Sequence, residues 1–247
     1  MQDYEVWTTR MAKPIMRAHE AWLRRGRTGA GRLELTDANL KNARPPSARL
    51  SFARLDRCDI SCAQFQLFQL DGIELLSCHG HGANLLGSNM NGATIDACDL
   101  PEAVISGAWL DQCSVRSTSF VGTHGDRASF EGSKFTNVDF SDGNLADPRM
   151  VGTTFLECRF ERADLRMTAN LPRLARVEET EFVGCDLRSV AIDGLRMRGV
   201  KFIRCRMHGI QGKPVLEGPV EVIDPDLSVA GDGSKIVAGS EVLKAWA

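Results

Sequence analysis

The feature that most constrains this chain is a repeat of five residues. Taking every multiple of five from Leu35 to Leu165 as a repeat centre gives 27 positions, and 24 of them are Leu, Ile, Val, Phe or Met. The hydrophobic fraction of the chain is 43%, which would place only about 12 such residues there by chance. Three centres depart from the rule: Pro45, Gly80 and Gly125. A period sustained over this length describes a whole architecture, not one helix or strand.

A small side chain accompanies almost every large one. The position two before the centre is Ala, Cys, Ser, Thr, Gly or Val in all but four repeats, where it is Leu33, Phe68, Ile73 or Pro148. An amphipathic helix would spread a period of five around its circumference, and an alternating strand would change face at every repeat. Both residues can point inward in a coil with four five-residue sides. The pattern therefore predicts an all-β solenoid with a turn of about 20 residues.

The cysteines test the length of the turn independently. Cys58, Cys78 and Cys98 are spaced by one predicted turn, and so are Cys185 and Cys205, so we expect columns of stacked thiols. Stacked cysteines could form disulfides, because neighbouring strands lie about 4.8 Å apart. We expect reduced thiols instead, since a chain of this length with no visible secretory signal favours the cytosol.

The stretch "CHGHGANL" (78–85) places one cysteine and two histidines within four positions. A metal site would require the three side chains to converge on the ion at about 2.0–2.3 Å. The register instead points Cys78 inward and both His79 and His81 outward, on either side of Gly80. We interpret the stretch as one rung of the coil and expect no metal site there.

Three stretches, "ANLKN" (38–42), "ANLLG" (83–87) and "ADLRM" (163–167), resemble the A(D/N)LXX consensus of the pentapeptide-repeat proteins. The resemblance covers roughly residues 33 to 207. It implies a right-handed quadrilateral β-helix in which the small and large positions point inward. It is specific for fold and not for function, because one solenoid serves many roles.

The repeat divides the chain into five segments. We expect an N-terminal capping helix and linker in 1–32, the main solenoid in 33–167, a loop interruption in 168–176, a continued solenoid in 177–212, and a C-terminal cap or dimerisation segment in 213–247. The loop has two interpretations, a tolerated surface excursion or a contact for a partner.

The N-terminal segment contains a helical pattern. A solenoid exposes an apolar end and an open strand edge unless it is capped. In "KPIMRAHEAWLRRG", Pro14 suits a first helical turn, and Ile15, Ala18 and Trp22 share one face. We therefore predict a helix that covers the first coil.

The C-terminal segment has two interpretations. The first is a cap formed by short strands and a terminal helix. The second comes from the resemblance, because the C-terminal ends of some relatives pair two solenoids into a rod. Leu243 and Trp246 are the candidate dimerisation residues.

No constellation of catalytic residues emerges from the sequence. The five histidines are scattered between the predicted cap helix and separate coils, and inward cysteines should be protonated and poorly reactive. No run of about 18 apolar residues is present to span a membrane. A net charge of −2 argues against direct nucleic-acid binding. We expect a cytoplasmic, non-enzymatic protein that binds another protein and needs no cofactor.

Charge along the chain is segregated. Residues 1–57 carry a net charge of +6, residues 58–115 carry −7 without a single Lys or Arg, and residues 166–213 carry +5. In the predicted register, acids form two outward columns on opposite sides of the coil. The candidate partner-binding residues are Asp59, Asp99 and Asp139 in one column, and Asp71, Asp111 and Glu131 in the other. The columns are either a solubilising wall or an acidic band that meets a basic cleft on a partner.

The acidic band matters because of one branch of the family. The quinolone-resistance and albicidin-resistance pentapeptide proteins look like rods of B-DNA and bind DNA gyrase in its place. Resemblance to them in fold, length and loop interruption implies a DNA mimic that binds a type II topoisomerase and protects it from inhibitors. This chain departs from that branch in its near-neutral net charge. That charge favours the other hypothesis, a protein-binding rod that acts as a scaffold or adaptor.

Overall fold

The computed structural model describes residues 9–168 and 176–247, and it shows a parallel β-solenoid flanked by two helices. Helix α1 spans Thr9–Arg24 and helix α2 spans Gly239–Trp246. Between them the chain forms short strands of two to four residues, separated by corners. Neither of the helices described is long and apolar enough to cross a membrane.

The strands form two parallel sheets. In chain order they are β1 Glu34–Thr36, β2 Arg54–Asp56, β3 Glu74–Leu76, β4 Thr94–Asp96, β5 Ser114–Arg116, β6 Lys134–Thr136, β7 Arg149–Val151, β8 Thr154–Leu156, β9 Arg176–Glu178, β10 Glu181–Val183, β11 Arg196–Arg198, β12 Val200–Ile203, β13 Val215–Leu216 and β14 Val220–Ile223. One sheet has ten strands in the order β1-β2-β3-β4-β5-β6-β8-β10-β12-β14, and the other has four in the order β13-β11-β9-β7.

Each turn of the coil has four walls. In the turn formed by residues 53–72 the walls are centred on Leu55, Ile60, Phe65 and Leu70, and we call them walls 1 to 4. Wall 1 carries the ten-stranded sheet and wall 4 the four-stranded sheet, while single β-bridges join the remaining rungs. Residues on successive rungs are paired 20 apart and the repeat centres are buried, which confirms the predicted turn and the inward direction of the large position.

The corners between walls hold the backbone in the left-handed region. The residue two positions after a centre has a positive φ at almost every corner, for example 57° at Asn42 and 61° at Gly72. Gly adopts this conformation without steric cost, and Asn and Asp tolerate it. No Val, Ile or Thr has a positive φ in the described parts of the chain, as expected from the clash that a β-branched side chain makes there.

The core is a stack of side chains that continues through the rungs of wall 1. The rings of Phe135, Phe155, Phe182 and Phe202 stack in line, with successive centroids 5.0–5.1 Å apart. Each of these four rings is buried, and burying a Phe side chain stabilises the folded state by about 1.5–3 kcal/mol. The core is therefore a column along the coil axis, and it has no single centre.

The register of the ten-stranded sheet changes once. Phe182 pairs with Phe155, so the numbers of these partners differ by 27, whereas Phe202 and its partner Phe182 differ by the usual 20. One turn is therefore longer than the others by seven. The predicted loop at 168–176 falls in this turn, and its residues 169–175 lie outside the described residues. Because strands on both sides pair directly, the two blocks of repeats form one continuous solenoid.

Helix α1 covers the first coil, but it begins earlier and uses another face than predicted. The helix starts at Thr9, so Pro14 lies inside it and not in its first turn. Ile15 and Ala18, two residues of the predicted apolar face, are exposed. The buried face consists of residues spaced three or four apart: Ala12, Met16, His19 and Trp22.

His19 explains why the buried face of α1 is rotated away from the predicted face, with which it shares Trp22. The side chain is fully buried, and its Nδ1 accepts a hydrogen bond from the backbone N–H of Leu33 at 3.0 Å. Burial lowers the pKa of His19, which keeps the imidazole neutral and Nδ1 free to accept. A hydrophobicity pattern assigns histidine to the polar side, so it rotates the helix away from the true contact.

Helix α2 covers the last turn of the solenoid. Val242 and Trp246 are buried, and the Trp246 ring meets the Phe202 ring edge-on with centroids 5.7 Å apart. Phe202 is the last ring of the wall 1 stack described above. The helix therefore closes the apolar end of the core column.

Candidate functional site

The cysteine and histidines of residues 78–85 do not converge. Cys78 is buried, and its thiol lies 3.4 Å from the backbone oxygen of Leu55. His79 and His81 are exposed, and His81 Nε2 lies 3.6 Å from a carboxylate oxygen of Glu102. The stretch is one rung of the coil, as predicted. Across the described parts of the chain, no three His, Cys, Asp or Glu side chains are placed to hold a metal ion together.

The cysteine columns form as predicted, and all eight cysteines are free thiols. Burial raises the pKa of the Cys113 thiol to about 12 and also raises the pKa of the Cys185 thiol. Thiolate is the reactive form of cysteine, so these two thiols are poor nucleophiles at neutral pH. They contribute packing, as small inward residues do elsewhere in the coil.

The first acidic column runs along wall 2. Bridges between successive rungs place Asp59, Asp99 and Asp139 in one line, with His79 and Ser119 on the rungs between them. Asp59 and Asp139 each accept a hydrogen bond from a backbone N–H two residues on, both at 2.9 Å. None of the three carboxylates forms an ion pair with another residue in the described ranges. No neighbouring cation in those ranges therefore offsets the charge of this column.

The acidic column of wall 2 ends abruptly. On the rungs after Asp139, the same outward position is occupied by Arg159, Asp186 and Arg206 in turn. The alternation of charge neutralises this part of the wall. On wall 2, the carboxylates without a neighbouring cation thus extend over about half of the coil.

The second acidic column lies on wall 4, opposite wall 2, so the structure does not bring the two columns together. Asp71 accepts hydrogen bonds from the Ser51 hydroxyl at 2.5 Å and from the Asn89 amide. Asp111 accepts from the Ser129 hydroxyl at 2.5 Å and from the backbone N–H of Glu131 at 2.8 Å. These donors are uncharged, so they do not offset the charge of either carboxylate.

Glu131, the third member of the wall 4 column, differs from the other two. Its carboxylate lies 2.5 Å from Arg149 Nε and 3.7 Å from a guanidinium nitrogen of Arg176. Two cations neutralise its charge. As a candidate for attracting a basic partner, Glu131 is therefore weaker than Asp71 and Asp111.

The candidate dimerisation residues lie in α2. Trp246 is only 7% exposed because its ring packs on the core of its own chain, and Leu243 is half-buried beside the same core. Dimerisation through this end stays a prediction. Any such contact would use the rim around Trp246 and not its ring.

The sequence analysis did not predict one group of exposed apolar side chains. Leu67, Leu86 and Trp109 occupy outward or corner positions and are 69%, 43% and 54% exposed. The signal in the sequence is an apolar residue off the inward register. That signal is weak, because about half of the surface of any folded protein is apolar.

Comparison with known proteins supports the repeat architecture. The family model described as pentapeptide repeats matches eight copies, in residues 34–67 and 105–142. No curated protein sequence matches the chain significantly.

Solved structures of two proteins are similar to this fold. A trypsin-treated variant of QnrB1, described as a plasmid-mediated fluoroquinolone resistance protein, is 16% identical with a TM-score of 0.38, over 69% of this chain and 90% of that one. HetL, described as a pentapeptide repeat protein involved in heterocyst differentiation regulation in the cyanobacterium Nostoc sp. strain PCC 7120, is 18% identical with a TM-score of 0.25, over 81% and 88%. This chain therefore contains pentapeptide repeats, in residues 34–67 and 105–142, and they form part of the four-walled coil.

Proposed function

We propose that this chain is a non-enzymatic, protein-binding rod that acts as a scaffold or adaptor. The observation that supports the proposal is the register of the outward side chains. Parallel pairing 20 positions apart places equivalent residues one above another, about 4.8 Å apart, on flat and rigid walls. A preorganised surface of this kind binds a partner at a low cost in conformational entropy.

A photo-crosslinking scan of the four walls tests the rod. The protein would be expressed in the cell from which it comes, with a photoreactive amino acid in place of one outward residue on each wall. The four positions are Thr94 on wall 1, His79 on wall 2, Val104 on wall 3 and Gln69 on wall 4. A binding rod gives one adduct of defined mass from one wall or from two adjacent walls. Equal adducts from all four walls, or none from any wall, would contradict the proposal.

A second candidate function is a DNA mimic that binds a type II topoisomerase. The observation that favours it is the column of Asp59, Asp99 and Asp139, which is free of cations. Residues 58–115 carry seven acids in close to three turns, or about 14 Å of rod. Arg32 and Arg54 pair with one of these acids, Glu74, so the other six give one charge per about 2.3 Å, compared with one per about 1.7 Å along B-DNA. The match extends over about four base pairs only, because Lys and Arg flank the band on both sides.

A gyrase supercoiling and drug-stabilised cleavage assay tests the second candidate. If the chain is a mimic, the purified protein inhibits supercoiling or rescues the enzyme from a poison at low micromolar concentration. Substituting Asp59→Lys, Asp99→Lys and Asp139→Lys together should abolish the effect, whereas Asp111→Lys on the opposite wall should preserve it. No effect of the unmodified protein on gyrase or topoisomerase IV would exclude the mimic and leave the scaffold.

A further inference from the structure

The corner between walls 3 and 4 carries an apolar patch drawn from three successive turns. The patch consists of Leu67, Leu86 and Trp109, which are among the exposed large apolar side chains of the described residues. Leu67 donates its backbone N–H to the backbone oxygen of Leu86 at 2.8 Å, which places the two on neighbouring rungs. Trp109 follows on the next rung, where it pairs with Asn89. The three side chains therefore span two rung spacings, or about 10 Å.

Two glycines leave this corner without side chains at two successive positions. Gly87 and Gly107 occupy successive corner positions, with φ of 59° and 61°. A Cβ at Gly87 would lie 2.8 Å from Leu67 Cδ2, so the Leu67 side chain lies across this glycine. A Cβ at Gly107 would meet nothing within 4 Å, so this position of the corner is open. The apolar side chains therefore stand above a flat backbone.

Packing within the chain does not require a tryptophan at this position. The column that contains Trp109 reads Arg49, Gln69, Asn89, Trp109, Ser129 and Arg149 from rung to rung. The other members are polar, as expected for an outward position on a solvated wall. Trp109 is therefore the exception in its column, and its ring makes no ring contact with another residue among those described.

Negative charge borders the patch. Asp71 and Asp111 lie on wall 4 beside it, and their carboxylates are held by hydroxyl and amide donors only. Residues 58–115, which include the whole patch, contain no Lys or Arg. Two basic residues lie one rung beyond the patch: Arg127 at the corner, which lies 3.0 Å from Asp126, and Arg49 on wall 4. A cationic partner therefore meets two uncompensated carboxylates, and an acidic one is repelled.

We propose that the apolar patch and the two carboxylates form a docking site for a cationic, amphipathic segment of another protein. An aliphatic or aromatic side chain of that segment packs on Trp109 and the two leucines, and its Lys or Arg side chains pair with Asp71 and Asp111. Trp is enriched among the residues that contribute most of the binding energy at interfaces. The face of its ring also attracts a cation. The site rests on the proposed function and specifies the wall and the chemistry of the partner.

Fluorescence anisotropy with a labelled amphipathic peptide tests the site. The probe is a peptide of Lys and Leu at helical spacing, with two controls: Ser in place of Leu, and Glu in place of Lys. At physiological ionic strength the Lys/Leu peptide should bind at least tenfold more tightly than either control. Trp109→Asn and Asp111→Asn should each weaken binding at least tenfold. Asn89 and Asn91 hold the equivalent positions one rung earlier, so both variants should fold.

Asp99→Asn is the matched control, because it removes the same charge from the opposite wall and should change the affinity less than twofold. Unchanged binding by Trp109→Asn, or equal binding of the Ser-containing peptide, would overturn the site. So would a concentration-dependent dimer that Trp109→Asn dissociates, because a second copy would then be the occupant. Failure of the peptide test together with adducts from another wall in the crosslinking scan would remove this site and keep the binding rod.

Discussion

Gly80 and Gly125 are the two glycines among the repeat centres, and their neighbours in the column explain them. A Cβ added at Gly80 would lie 2.5 Å from Leu100 Cδ2 and 2.9 Å from Ile60 Cγ1. The side chains above and below lean into the space that a large residue would otherwise fill. Gly125 is enclosed in the same way by Leu145 and Ile105, and both glycines are therefore part of the packed core.

Restoring the large residue at Gly80 should destabilise the protein. Gly80→Leu matches the repeat, but it overfills the column and should lower the free energy of unfolding by about 1–3 kcal/mol. Gly107→Asn is the control, because that corner is open and Asn tolerates its positive φ. Urea denaturation measures both variants. Equal stability of Gly80→Leu and the unmodified protein would show that the column can expand.

Asp186 is a buried carboxylate whose charge is compensated. It is 4% exposed and accepts two hydrogen bonds from the Arg188 guanidinium, at 2.7 and 2.9 Å. Burial acts to raise the pKa of Asp186, but the hydrogen bonds from Arg188 outweigh it and hold the pKa below the ordinary value of 3.8. The ionised carboxylate therefore stabilises the folded state.

The stabilisation from Asp186 should disappear in acid. A lowered folded-state pKa contributes stability that is complete above the unfolded-state pKa and is lost as the pH falls through 3.8 to the folded-state value. Asp186→Asn should be less stable at neutral pH and should lose less stability on acidification. The urea midpoint measured at several pH values below about 5 compares the two. Parallel curves would mean that Asp186 does not contribute to the acid dependence.

At the scale of the element, the docking of α2 depends on its first residue. A Cβ at Gly239 would lie 1.7 Å from the backbone oxygen of Val222 in β14. The start of the helix therefore approaches the edge strand closer than any other residue type permits. This approach brings Val242 and Trp246 over the open end of the core.

Gly239→Ala should detach α2. The helix must move to accommodate the methyl group, so Phe202 loses its Trp246 contact, and the end of the core becomes exposed. We expect a loss of about 1–3 kcal/mol in stability, binding of a hydrophobic dye, and faster hydrogen exchange in residues 239–247. Ser240→Ala, at an exposed neighbouring position, should leave all three unchanged. If Gly239→Ala behaves like Ser240→Ala, the helix is not held by this contact.

At the scale of the whole molecule, the register shows that the solenoid does not need residues 169–175, which we call the insertion. The paired strands β8 and β10 are offset by 27 in residue number, and every other pair in the ten-stranded sheet is offset by 20. Removing residues 169–175 restores the usual offset. The strands on both sides are already in contact, so the deletion should leave the melting temperature within a few degrees of its original value.

A deletion of equal length in the repeats supplies the control. Removing residues 127–133 shifts all later repeats by seven positions, which is not a multiple of five, so inward residues become outward and the protein should unfold. Thermal denaturation followed by circular dichroism measures both deletions. Unfolding of the 169–175 deletion would show that the insertion is structural. A folded deletion that loses the crosslinked partner would identify the insertion as a contact for that partner.

The five-residue period alone predicted most of the solenoid, because an inward position is a property of each short segment that the coil repeats. The length of the turn, the thiol columns and the two lines of acids followed from it. The period could not predict which side chains on neighbouring rungs contact one another. Arg176 reaches Glu131 only because the insertion shifts the register, so the loss of charge at Glu131 could not be read from spacing.

The sequence by itself determined the coil, because periodic spacing encodes a periodic backbone without reference to distant residues. Only the tertiary structure decided how the coil ends and what its surface offers. It turned His19 inward because the N–H of Leu33 lies there, and it buried Trp246 against Phe202. It also assembled Leu67, Leu86 and Trp109 from three turns into one patch. Such contacts join residues that no repeat relates, so they depend on the packed molecule.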